Sequence, residues 1–99
     1  MPTYVLLTKL SPDIAMQMKE RAKLGRTWLD QVRKTCPEVK FISHYALLGQ
    51  FDFLDVYEAP DDRTAAKVSI ISQAHGAFQA QSLPAIPYKK YLDLIKEIE

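Results

Sequence analysis

Cysteine is almost missing from this chain: Cys36 stands alone among 99 residues. A lone thiol closes no intramolecular disulfide, so the fold needs no oxidising compartment. Glycine is nearly as scarce, and Gly25, Gly49 and Gly76 are too scattered to form a loop that cradles phosphate. With only His44 and His75, and neither Cys-x-x-Cys nor His-Glu-x-x-His spacing, no metal site is expected. No Gly-x-Ser-x-Gly nucleophile elbow occurs, and nothing calls for a cofactor. An excess of either charge is lacking as well. Lys+Arg is 13 against Asp+Glu 12, a net +1, which offers no basic face for nucleic acid. The apolar stretch Tyr4 to Leu7 near the start is too short for a signal peptide or a membrane span. The expectation is a cytoplasmic protein with neither nucleic acid nor membrane as partner.

What is present is an ordinary globular composition, 47% hydrophobic and 25% charged, at a length that suits one domain over residues 1–99. Residues 3–10 are rich in β-formers and stop at Ser11-Pro12-Asp13, which reads as a helix start with Ser11 as cap. Ile14, Met18, Ala22, Gly25, Leu29, Val32 and Cys36 then recur at spacings of three or four, predicting one helix over 12–36 that Pro37 ends. Gly25 inside it marks a kink, a break or a close contact with a sheet. Residues 39–48 and 50–58 read as two strands about a two-residue type II′ turn at Gly49-Gln50. Ala59-Pro60-Asp61-Asp62 starts a second helix that runs to His75, and Gly76 supplies its left-handed stop. Residues 77–83 form a fourth strand, placed at a sheet edge by Pro84 and Pro87. Tyr88, Tyr91, Leu92, Ile95 and Ile98 mark a terminal amphipathic helix in an extension over 84–99.

This order, βαββαβ plus a helix, predicts an α+β, ferredoxin-like antiparallel sheet with its helices on one face. The hairpin carries apolar residues on both faces: Ile42, Ala46, Leu48, Phe51 and Phe53 on one, Phe41, Tyr45, Leu47, Leu54 and Val56 on the other. Two helices cover one face only. A second copy packed sheet against sheet would cover the other, so the chain is expected to form a homodimer.

With the turn at Gly49-Gln50, counting back places His44 opposite Asp55. Directly opposed side chains can hydrogen-bond, and the carboxylate would orient the imidazole as a general acid or base. The same pair also reads as a salt link that only fixes strand register. Tyr57 lies on that face, with Phe53 and Ile42 as apolar walls for a small ligand. Tyr45 and Asp52 fall on the other face, Tyr45 either as core packing with a satisfied hydroxyl or as a side chain lining a cavity between sheet and helices, and Asp52 as an acceptor for backbone amides near the turn. His75 suits the end of its helix. Lys19, Arg21, Lys23 and Arg26 read either as a solvated helix face or as an anion-binding patch.

The stretch Leu48-Gly49-Gln50-Phe51-Asp52-Phe53, with Glu58-Ala59-Pro60-Asp61-Asp62 and the opening Met1-Pro2-Thr3-Tyr4-Val5-Leu6-Leu7, resembles the GYD domain family over about residues 3–83. Phe51 replaces the name-giving tyrosine. A similar Gly-x-aromatic-Asp hairpin occurs in the amino-acid-sensing domain of leucine-responsive regulators. The resemblance implies a dimeric α/β barrel and implies no particular reaction. The expected function is therefore the binding of a small organic ligand in a cleft, with Tyr45, Asp52, Phe53 and Tyr57 as its contacts. A cofactor-independent isomerase or monooxygenase working through His44 and Asp55 is the alternative. An interaction subunit docking through its terminal helix is the third reading.

Overall fold

A computed structural model describes residues 1–99 and shows four strands and four helices. Strand β1 (Thr3–Leu10) leads into a short helix α1 (Pro12–Ala15), a 3-10 turn (Met18–Glu20) and helix α2 (Arg21–Thr35). Strands β2 (Lys40–Ala46) and β3 (Phe53–Glu58), helix α3 (Asp62–Ala74), strand β4 (Ala77–Ala85) and helix α4 (Tyr88–Ile98) complete it. The sheet order is β2-β3-β1-β4 with every neighbour antiparallel, which is the ferredoxin-like arrangement. As Pro84 and Pro87 imply, β4 lies at an edge. No helix is long and apolar enough to cross a membrane.

Alternation along β1 sets the two faces. Tyr4, Leu6, Thr8 and Leu10 are buried beneath the helices, and the residues between them are half-buried on the far side. Leu6, Val32, Val68 and Tyr57 meet there with Ala65, Ile71 and Cys36. Each fully buried large side chain contributes about 1.5–3 kcal/mol. The Tyr4 and Tyr57 rings stack at 5.5 Å. The Tyr57 hydroxyl donates to Ser82 Oγ at 2.7 Å, and burial pushes its pKa up to about 12. Helix α3 starts as its sequence demands, because Asp61 Oδ1 accepts from the backbone N–H and the hydroxyl of Thr64, both at 2.8 Å. Those bonds hold Asp61 below the usual carboxylate range.

Four local expectations are corrected. The single helix over 12–36 is broken at Met16–Glu20, where the Arg21 guanidinium takes the Ala15 carbonyl at 2.9 Å. The first turn stays pinned to the start of β4, the Ser11 N–H donating to the Gly76 carbonyl at 2.9 Å, while α2 packs on α3. Ser11 makes no side-chain cap. Gly25 causes neither break nor contact, since α2 runs through it and a Cβ there would meet nothing within 4 Å. The two-residue type II′ turn is absent: residues 47–52 form a wider loop, and Gly76 alone has a positive φ, +102°.

The register survives the wider loop. Leu47 N–H donates to the Asp52 carbonyl at 2.8 Å, Ala46 faces Phe53, and His44 faces Asp55, as the count from Gly49-Gln50 requires. A bulge between Phe41 and Ser43 then changes the wall. Phe41, not Ile42, turns inward to pack at a tilt against Trp28 and Tyr57, leaving Ile42 exposed.

Candidate functional site

The first half of α2 stands away from the sheet, and the gap is a cleft of about 460 Å³ open to solvent. Its walls are apolar, formed by Leu24 and Trp28 of α2 facing Leu10, Phe41 and Phe53 of the sheet. The second half of the helix is fastened to α3. Trp28 Nε1–H donates to Ser72 Oγ at 2.8 Å, and His75 Nε2 pairs with the side-chain oxygen of Gln31. Gly25 leaves the roof without a side chain.

His44 and Asp55 are hydrogen-bonded through Nδ1 and Oδ1. Asp55 sits on the cleft floor, 3% exposed, whereas the His44 side chain is 58% exposed at the mouth and stacks on Phe53. Burial raises the Asp55 pKa, and the charge and hydrogen bond of His44 oppose that rise. Cleft burial and solvent contact are thus divided between the two partners. The imidazole borders the cleft at its mouth and is not sequestered from water.

Of the residues singled out from sequence, His44, Asp55, Phe53 and His75 share the cleft. Tyr57 is fully buried behind it and bonded to Ser82. Tyr45 lies on the opposite face of β2, 60% exposed. Asp52 is a tie between loop and strand, its Oδ2 accepting the Leu10 N–H at 2.7 Å while its own N–H donates to the Thr8 carbonyl at 2.8 Å. Arg21, Arg26, Trp28 and Ser72 also line the cleft, and of these only the two arginines, as part of the basic run, had been singled out. No group of three His, Cys, Asp or Glu side chains is placed to hold a metal. Burial raises the Cys36 pKa, which suits an inert core thiol.

The sequence profile of the GYD domain matches residues 4–95. The chain belongs to the GYD family. The match extends past residue 83, where the resemblance read from the sequence ends, and so takes in most of α4. A GYD-type protein of Thermus thermophilus, described as "Glutamine synthetase and cystathionine beta-lyase binding protein", is 27% identical over 96 residues. That alignment covers 97% of this chain and 100% of the Thermus protein. No solved structure matches.

Proposed function

We propose that this GYD-family chain is a binding module whose cleft takes a small organic ligand, and that it works as a homodimer in the cytoplasm. The observation that carries the reading is the cleft itself: about 460 Å³, apolar-walled, with few polar groups, within the range of small-molecule sites. The exposure of His44 argues against the isomerase or monooxygenase alternative, and the pair serves as a polar contact at the mouth. Val5, Leu7, Leu54 and Val56, with Leu83 and Tyr45 around them, give the second sheet face an apolar centre suited to a second copy. Trp28, the sole tryptophan, lines the cleft, so its fluorescence reports occupancy. A ligand screen read by that signal and by thermal shift tests the reading. Hits that move both signals, and do so no longer in Gly25→Leu, support it; hits unaffected by Gly25→Leu count against it.

A second reading rests on α4. Its apolar stripe of Tyr91, Leu92, Ile95 and Ile98 buries no residue, and the Thermus relative is described as binding two enzymes. In this reading α4 docks on a metabolic enzyme such as glutamine synthetase. Calorimetry with that enzyme from the same organism should show binding that is lost when residues 87–99 are removed. Equal binding by both chains would remove α4 from the interface.

A further inference from the structure

The charges around the cleft are unbalanced, and the imbalance selects a ligand. Asp55 is the only acidic side chain lining it, and its carboxylate is engaged by His44. Arg21 and Arg26 line the same space, and neither has a carboxylate partner; the chain's one ion pair is His44 with Asp55. Arg21 spends one N–H on the Ala15 carbonyl, and its Nε lies buried with no acceptor at all. That Nε is closed off from solvent, but the terminal nitrogen that Arg21 does not spend on Ala15, and the Arg26 guanidinium, which makes no hydrogen bond within the chain, are left to donate to an anion in the cleft. Trp28 on the same helix, with Phe41 and Phe53 across the gap on the sheet, presents aromatic surface suited to a flat apolar body.

We infer that the cleft selects an organic monoanion with an aromatic or branched apolar body, its carboxylate held by Arg21 and Arg26. This rests on the cleft being a ligand site, which the test separates from the choice of ligand. The geometry asks for both ends of the molecule. Inorganic anions lack the body, and hydrocarbons lack the head. A cation would meet two guanidinium groups with no free carboxylate to offset them.

The test compares three probes of one shape: 3-phenylpropionate, 3-phenylpropan-1-ol and 3-phenylpropylamine, titrated by calorimetry and Trp28 fluorescence. The acid should bind at least about tenfold more tightly than the alcohol, with the amine weakest. Arg26→Gln and Arg21→Gln should each weaken the acid far more than the alcohol, and so reduce the preference for acid over alcohol. Arg26→Gln is the safer variant, since Arg21 also ties down the Ala15 carbonyl. Gly25→Leu should abolish all binding by filling the space above the sheet. Equal affinity for acid and alcohol, both lost in Gly25→Leu, overturns the choice of anion and leaves the cleft standing as a site. A preference for the amine does the same. Failure of all three probes to bind overturns both.

Discussion

The Asp55 carboxylate is closed off beneath the imidazole of His44, whose own ring stays open to water. The folded chain therefore holds the Asp55 proton to higher pH than the unfolded chain does, because burial outweighs the opposing histidine. Its contribution to stability is complete below the ordinary carboxylate range and is lost as pH rises through the raised pKa. Asp55→Asn removes that dependence. The melting temperature of Asp55→Asn minus that of the wild type should climb as pH rises above the ordinary carboxylate range. A flat difference across that rise would show that burying Asp55 costs nothing.

Two glycines should respond in opposite directions to the same substitution. At Gly25 a methyl group meets open space inside a helix, so Gly25→Ala should stabilise the protein by about 1 kcal/mol. At Gly76 the backbone has φ +102° and a Cβ would come 2.8 Å from Ile14 Cγ1. Gly76→Ala should cost about 1–3 kcal/mol. Urea unfolding measures both, and equal shifts would contradict the difference in their surroundings.

Asp52 belongs to the Gly-x-aromatic-Asp stretch, yet its carboxylate is spent on the Leu10 amide at 2.7 Å. Asp52→Ala strands that N–H and should cost about 1.5–3 kcal/mol, with Asp52→Asn milder because an oxygen acceptor remains. Ligand affinity should be unchanged in both when measured well below their melting temperatures. An affinity loss without a stability loss would move Asp52 into the binding site.

What can be read in advance is whatever repeats along the chain. Alternation marks the strands, the symmetric spacing about Gly49-Gln50 pairs His44 with Asp55, and two prolines mark the edge strand. The cleft stays hidden because it depends on two departures from regularity: the break at Met16–Glu20, which frees α2 to follow α3, and the bulge that exchanges Ile42 for Phe41. Both are settled by contacts that no local pattern contains, such as Arg21 with Ala15 and Trp28 with Phe41. The turn escapes the sequence for a similar reason. Asp52 binds strand β1 as well as Leu47, and so holds the loop wider than the hairpin alone would need.

Leu7 and Leu54 face each other at the centre of the second sheet face. Leu54→Lys should leave the helix-side core intact while converting the proposed dimer to a monomer, as read by sedimentation velocity. A wild type that already sediments as a monomer at high concentration would remove the proposed assembly.

Helix α2 is moored from Trp28 onward, through Ser72, Gln31 and the buried Val32, while its opening turns hang over empty volume. Its amide protons should consequently trade with deuterated solvent in a gradient, fast over residues 21–26 and slow over residues 29–35. The loosely tethered end is also the one that bears the two arginines. Any guest that grips them would slow the fast half of that gradient and so stiffen the gangway by which it came aboard.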